Sequence, residues 1–267
     1  LYPHRGGVEK YIDEISRRLH DQYGWKILFV TAKQGPQIIF KHDKNGDTYR
    51  LAYALKFSNT PFSTLWKAQI KRIIARERPD VINGHTPVPF LADTGASVAG
   101  STPFVLSYHN DLVKDSLVMN FIAKIYLAVM GSKTLERSNK IVVSSKFYAD
   151  NSATLKPYHD KMSIISPGVD LKRFRPNVSV AHVQSRVGSV PFILFVGQLS
   201  QTHRHKGLPD LLAAFRIVHE HCPNFRLVVI GEGDATDDYR RQARAEGILS
   251  RVIFVGPVSE DDLPGFY

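Results

Sequence analysis

A lysine stands between a predicted strand and a predicted helix in the stretch from Pro191 to Gly233. The apolar run from Phe192 to Val196 predicts a buried strand, Gly197 ends it, and Lys206 precedes the helix. The first turn of a helix has backbone N–H groups without partners in the helix, and a lysine adds positive charge beside them. These features predict a site for an anionic ligand of phosphate size. The alternative is an ordinary strand–turn–helix corner with a solvated lysine.

Glycines follow or precede several other predicted elements. Gly6 and Gly7 stand directly before a helix predicted from Val8 onward, where they would let a ligand approach the backbone closely. Two further turns follow predicted strands, and their residues are Gly231, Glu232, Gly233 and Gly256. A flexible or tight turn without a ligand is the alternative at each place.

Two histidines close predicted strands. His85 ends the segment 80–85, and His109 follows the buried strand predicted over 104–108, with Asp111 two residues later. Ligands of open α/β sheets bind beyond the carboxyl ends of the strands, which is where these side chains fall. A packed or surface histidine is the alternative. His219, His221 and Cys222 do not share one helix face, and we expect no metal.

Alternating predicted strands and helices indicate an α/β protein with two domains, residues 1–176 and 191–267, joined by a polar linker over 177–190. Residues 64–78 predict a basic amphipathic helix, which either lies on an anionic membrane surface or has a solvated basic face. Residues 112–130 are apolar but contain lysines, so they do not predict a membrane span. They form either a core helix or one partly exposed to a lipid acceptor.

Composition limits the function classes. The 267 residues are 43% hydrophobic and contain one cysteine, which excludes an internal disulfide and fits a reducing compartment. Residues 1–176 hold 26 lysines and arginines against 15 acidic residues, a net charge of +11, whereas residues 177–267 hold 9 against 10, a net charge of −1. Such a basic domain can face an anionic acceptor or membrane, and without zinc-finger or aromatic RNA-binding patterns we expect no nucleic acid. We expect a cytoplasmic location, either free or peripherally bound at the inner face of the membrane.

Six motifs in order resemble the retaining glycosyltransferases of family 4. They are Gly-Gly-Val at 6–8, a strand ending in His109, Gly-Val-Asp at 168–170, Val-Gly-Gln-Leu at 196–199 with Lys206-Gly207, Gly-Glu-Gly at 231–233, and a strand ending at Gly256. The resemblance implies a GT-B fold, in which two doubly wound Rossmann-like domains face a cleft. It also implies that the chain lacks the family's first strand and roughly the last third of the protein. The missing part would include two glutamates separated by seven residues.

The resemblance assigns roles to the motif residues. His109 would contact the transferred sugar and Lys206 the donor diphosphate; the other donor-binding positions are Gly6, Gly7, Gln198, Gly231, Glu232, Gly233 and Gly256. Gln198 departs from the family, which usually has an arginine there. His203 and Arg204 are candidates to supply the missing charge, and His85 and Asp111 are auxiliary candidates.

The implied reaction moves a hexose-type sugar from a UDP- or GDP-sugar to a glycan or lipid-linked acceptor, with retention at the anomeric carbon and without a cofactor or metal. Two alternatives stay open. The first is an inverting transferase or sugar-nucleotide epimerase of the same architecture, which needs a general base such as His109 or His85. The second is a fragment that binds nucleotide or membrane without chemistry.

Overall fold

Parallel strands with helices between them build both units of the chain, residues 1–167 and 168–267. The structure is a computed structural model that describes residues 7–35, 38–43, 46–53, 55–57, 60–112 and 116–267. Gly6 of the predicted Gly-Gly-Val motif lies outside these ranges. No helix within them is long and apolar enough to cross a bilayer.

The first unit begins with a helix and a three-stranded sheet. Its elements are α1 (Gly7–Tyr23), β1 (Leu28–Gln34), β2 (Ile39–Asp43), β3 (Gly46–Tyr53), β4 (Leu55–Phe57), β5 (Thr60–Phe62) and α2 (Trp66–Glu77). Strand β3 pairs in parallel with β1 and antiparallel with β2, and β4 and β5 form a small hairpin. Tyr49, Leu51 and Tyr53 alternate along β3 and pack with Trp66 and Ile70 of α2.

A second sheet in this unit carries the histidines. The elements are β6 (Ile82–Thr86), α3 (Leu91–Val98), β7 (Phe104–Tyr108), α4 (Leu117–Tyr126), α5 (Ser132–Arg137), β8 (Lys140–Val143), α6 (Lys146–Asn151) and β9 (Met162–Ile164), with a π-helical turn at Leu127–Gly131 between α4 and α5. Strands β6, β7, β8 and β9 lie side by side in parallel, so their carboxyl ends meet at one edge. The predicted strand at 104–108 is confirmed.

The second unit is a parallel three-stranded sheet with helices packed on both faces. Its elements are α7 (Ala181–Val187), β10 (Phe192–Val196), α8 (Leu208–His221), β11 (Arg226–Ile230), α9 (Thr236–Ala245) and β12 (Val252–Gly256), with 3₁₀ turns that include Gln201–Lys206. Leu227 and Val229 of the central strand β11 pack against α8 and α9, and Val228 and Ile230 pack against α7. Because β11 is buried on both faces from Leu227 to Ile230, that part of its sequence is continuously apolar.

One prediction at the level of elements is wrong, and one pair of alternatives is narrowed. The linker predicted over 177–190 contains helix α7, whose Val183 and Val187 are buried against the second unit's sheet. Seven residues are too few to show a clear helical period, and for that reason the segment resembled a linker. For the segment 112–130, the part described from Leu117 onward is not a wholly buried core helix: Leu117 and Phe121 are exposed, which agrees with the alternative of a partly exposed helix.

Candidate functional site

The two histidines predicted at strand ends are in contact. Nδ1 of His85, on β6, lies 3.1 Å from Nε2 of His109, which directly follows β7. Their rings are nearly parallel, with an interplanar angle of 10° and centroids 5.4 Å apart. The contact follows from strand register, because His85 is opposite Ser107 and His109 is two residues further on. Tyr11 of α1 packs edge-on against His109 with centroids 5.5 Å apart.

Burial favours neutral rings in this pair. It lowers the pKa of His85 to about 4, with the neighbouring His109 adding to the effect. Burial also lowers the pKa of His109, while the charge of Glu9 opposes that change. Two neutral imidazoles can share one N–H···N bond, so the tautomer of one ring fixes that of the other. Whichever ring donates, the pair leaves one further N–H donor and one bare nitrogen for other partners.

The carboxylate of Asp111 is hydrogen-bonded to residues of the first unit. Its Oδ1 accepts hydrogen bonds from the hydroxyls of Tyr108, at 2.9 Å, and Ser152, at 2.8 Å. These bonds tie the loop after β7 to the end of α6. Gly7 begins α1, and among the described residues nothing lies within 4 Å of a Cβ placed there, so contacts in this part of the chain do not require a glycine.

In the second unit the loops after β10 and β11 are joined through their backbones. The N–H of Gly197 donates to the carbonyl of Ile230 at 3.0 Å, and the N–H of Leu199 donates to the carbonyl of Glu232 at 2.9 Å. A Cβ at Gly231 would lie 1.9 Å from the carbonyl oxygen of Gly197, and one at Gly233 would lie 2.3 Å from the carbonyl carbon of Leu199. Close backbone packing therefore requires both glycines. The backbone N–H groups of Gln198 and Glu232 are not used in the bonds that join the loops.

Lys206 lies beside this loop pair. Its Cδ is 3.6 Å from the position that a Cβ would take at Gly197, and the side chain is exposed. In the described part of the chain it has no acidic partner. Helix α8 begins after Gly207, which adopts φ +82°, and has Pro209 in its first turn and Asp210 as an acidic residue there. Proline has no N–H and a carboxylate repels anions, so this helix start is a weaker anion site than the sequence predicts.

The segment Gln201–Lys206, which holds His203 and Arg204, is a 3₁₀ turn whose Gln201 also bonds to the side chains of Asp234 and Asp238. Nδ1 of His203 lies 2.6 Å from the hydroxyl of Ser200, and burial, then Lys206 and His205, lower the pKa of His203. Arg204 is exposed and donates to Oε1 of Gln201 at 3.2 Å. The side chains of Gln198, Glu232 and Arg204 are exposed at the surface of this turn and the adjoining loops. Gly256, with φ +79°, accepts from the N–H of Gly231 at 3.0 Å and so joins the same cluster.

The structure thus brings together two sets of the predicted residues. His85 and His109 form one set in the first unit, and Lys206 with the glycines of the loops after β10, β11 and β12 forms the other in the second. Tyr11 was not predicted as a site residue. Its position one helical turn after Gly7 could have indicated it, since residues four apart share a helix face. Across the described ranges, no three His, Cys, Asp or Glu side chains are grouped so as to hold a metal ion.

Comparison with known sequences identifies the family. The profile described as Glycosyltransferase Family 4 matches residues 5–173, which is more than half of the chain, and that of glycosyl transferases group 1 matches residues 182–267. The chain belongs to Glycosyltransferase Family 4. The predicted family is therefore confirmed.

Two bacterial relatives match most of the chain. The O-antigen chain mannosyltransferase C of Escherichia coli is 33% identical over 208 residues, which are 78% of this chain and 52% of the relative. The D-rhamnosyltransferase WbpZ of Pseudomonas aeruginosa is 29% identical over 216 residues, 80% of this chain and 52% of the relative. The chain thus spans about half the length of these relatives.

Solved structures share the fold. HepE from Anabaena, solved in complex with UDP, superposes with a TM-score of 0.66 at 14% identity, over 98% of this chain and 68% of that one. The apo structure of OtsA superposes with a TM-score of 0.62 at 13% identity, over 98% and 73% of the two chains. The predicted α/β fold of the GT-B type is confirmed.

Proposed function

We propose that the chain is part of a retaining glycosyltransferase that moves a hexose-type sugar from a UDP- or GDP-sugar to a glycan or lipid-linked acceptor. The observation that carries the proposal is the loop pair after β10 and β11, where Gly231 and Gly233 allow close backbone packing beside Lys206. Family membership supports sugar transfer, and the relatives' names support a mannose-like or rhamnose-like sugar. The UDP in HepE supports a nucleoside diphosphate donor.

The chemistry requires stabilisation of the departing diphosphate. As the glycosidic C–O bond breaks, negative charge collects on the diphosphate oxygens, and donors fixed in advance lower the barrier. Lys206 would supply the positive charge, and the unused backbone N–H groups of Gln198 and Glu232 would supply hydrogen bonds. Protein charges of this kind make a divalent metal unnecessary. His109 would contact the transferred sugar, with His85 fixing its tautomer through the shared hydrogen bond.

Substitution of Lys206 tests the site in the complete protein. Lys206→Ala should lower kcat about 100-fold, since loss of one such donor costs about 10²–10³ in rate. Arg186→Ala is the matched control, because Arg186 is an exposed cation on α7, which packs on the opposite face of the sheet from α8. A Lys206→Ala variant with the wild-type rate would remove Lys206 from the site.

His109→Ala separates sugar transfer from donor binding. We expect a large fall in kcat with donor affinity nearly unchanged; equal losses in both would assign His109 a different role. The variant is assayed with UDP- and GDP-sugars, and the anomeric configuration of the product is read by NMR.

An inverting transferase or epimerase is the second candidate function. Its supporting observation is the neutral His85–His109 pair, which leaves a bare ring nitrogen able to accept a proton. An inverted anomeric centre in the product, or an epimerised donor without transfer, would favour this candidate over the first.

We also propose that the protein works at the cytoplasmic face of a membrane. Helix α2 supports this, because Lys67, Lys71 and Arg72 are exposed on its outer side while Trp66, Ile70 and Ile73 are buried. Basic side chains near an anionic bilayer each contribute about 1 kcal/mol to binding at low salt.

A further inference from the structure

One side of helix α4 and of the π-helical turn after it is apolar and exposed. Five large apolar side chains on this segment have between 49% and 88% of their surface exposed: Leu117, Val118, Phe121, Ile125 and Val129. We call this surface the α4 face. Scattered exposed apolar residues are common, but a contiguous set on one helix indicates an interaction surface.

The helix is fixed so that this side points outward. At 100° per residue, Leu117, Phe121, Ile125 and Val118 fall within an arc of about 100°. The other side of the helix is held by the unit's own contacts. Ala123 is buried there, and the hydroxyl of Tyr126 donates to Oδ2 of the buried Asp93 at 2.8 Å. The contacts of Ala123 and Tyr126 therefore fix the helix in an orientation that keeps the α4 face on the outside.

The charged residues between Leu117 and Lys133 are lysines. From Leu117 to Lys133 the sequence contains no aspartate or glutamate. Lys124 lies on α4 and Lys133 on α5, and both are exposed. Residues 1–176 carry a net charge of +11. Apolar side chains bordered by lysines match the interface of a bilayer that contains anionic lipid, where the acyl chains lie beneath negative headgroups.

The dimensions favour this occupant over others. The segment of α4 and the π-helical turn is about 22 Å long, which is too short to span a hydrocarbon core of about 30 Å but sufficient to lie along its surface. Its exposed side, about 10 Å wide, offers on the order of 220 Å². A stable dimer buries about 800 Å² on each partner, so a second copy seated on the α4 face alone would bind weakly.

We propose that the α4 face inserts into the interface of anionic bilayers and docks the protein in the plane of the membrane. The inference deepens the membrane part of the proposed function: α2 would supply long-range attraction, and the α4 face would supply apolar insertion. Its consequence is that binding has two components, of which only the first weakens as salt screens the charges.

Vesicle binding by the complete protein tests the inference. Phosphatidylcholine vesicles are compared with vesicles containing about one-third phosphatidylglycerol, in low and in high salt. We expect the double variant Phe121→Ser with Ile125→Ser to partition at least about tenfold more weakly onto the anionic vesicles at both salt concentrations, since two large apolar side chains leave the bilayer. Both residues are exposed, so the fold should persist.

Ile217→Ser is the matched control, because Ile217 is 53% exposed on α8 of the second unit. It should bind vesicles like the wild type. In a second measurement, the F121W variant should show blue-shifted tryptophan emission on anionic vesicles. Wild-type vesicle binding by the double variant, or unshifted emission of F121W, would overturn the inference.

A second copy and a failed transferase are distinguished separately. A dimer in vesicle-free solution that the double variant dissociates would overturn the inference in favour of a protein interface. Sugar transfer to a water-soluble acceptor tests the proposed function by itself. If the wild type transfers no sugar but the double variant still loses vesicle binding, the transferase proposal fails and docking through the α4 face stands.

Discussion

At Gly231 the backbone leaves no room for a side chain, and φ is +132°. A Cβ there would overlap the carbonyl oxygen of Gly197. We expect Gly231→Ala to lower the free energy of unfolding by more than about 2 kcal/mol and to weaken donor binding, because the loops after β10 and β11 must separate. Gly247→Ala is the control: Gly247 has φ +72° but nothing within 4 Å of a Cβ, so its cost should stay near about 1 kcal/mol. Thermal unfolding and calorimetric titration with UDP measure both effects, and equal costs for the two variants would contradict the prediction.

His85 should make the first unit sensitive to acid. Its pKa falls from 6.5 to about 4 on folding, so between these pH values the unfolded chain binds more protons and stability decreases as the pH falls. The contribution between pH 7 and pH 5 is about 2 kcal/mol. The glutamine of the His85→Gln variant cannot be protonated. Between pH 7 and pH 5 the free energy of unfolding of this variant should therefore fall by about 2 kcal/mol less than that of the wild type. Urea unfolding at both pH values gives the pH-dependent change in the free energy of unfolding of each protein. Subtracting the two changes removes the contribution of the carboxylates, which both proteins share. An equal change in the wild type and in His85→Gln would contradict the prediction.

Residue-scale features differ in how far the sequence could predict them. The position of His109 beyond β7 follows from an apolar run and its end. His85 lies 24 residues earlier in the sequence, and its contact with His109 depends on the register of β6 against β7. Local sequence patterns do not determine that register. The need for glycine at 231 likewise depends on the approach of another loop. Pro209 and Asp210 make the start of α8 a poorer anion site than a helix start with free N–H groups, and their residue types alone indicate this.

Helix α7 shows how an element can be missed. Its seven residues give two buried valines, and the flanking segments are polar, so the sequence pattern resembles a linker. The structure instead predicts that α7 contributes to the second unit's stability. Val187→Ala should lower the free energy of unfolding by about 2 kcal/mol, because Val187 is fully buried. Val180→Ala, at a residue 41% exposed just before the helix, should cost little; chemical unfolding of both variants provides the measurement, and a silent Val187→Ala would restore the linker interpretation.

Helix α4 shows the opposite case, in which an apolar pattern does not identify a buried side. Leu117 and Phe121 have the spacing of a core helix, and Ala123 and Tyr126 form the side that packs inward. In α2 the pattern identified Ile70 and Ile73 on the buried side, because lysines and arginines mark the outer side. Periodicity predicts which residues share a face, but polarity on the other side is needed to predict which face is buried.

For the molecule as a whole, the charge is divided between the two parts of the sequence. Residues 1–176 carry +11, whereas residues 177–267, which hold the loops proposed to bind the diphosphate, carry −1. The overall field can attract an anionic donor over a distance, but it does not identify where the diphosphate is held. In the proposed function, stabilisation of the leaving diphosphate would come from local groups, chiefly Lys206 and backbone N–H donors.

This local arrangement predicts that transfer by the complete protein does not depend on a divalent metal. In the proposed function, Lys206 would supply the positive charge beside the loop pair. EDTA should therefore leave kcat within about twofold, whereas enzymes that neutralise a diphosphate through a bound metal lose most of their rate. The matched comparison is Lys206→Ala with and without added Mg²⁺ or Mn²⁺. A loss of more than about tenfold in EDTA, restored by either ion in the wild type, would show that a metal rather than Lys206 carries the charge of the leaving group.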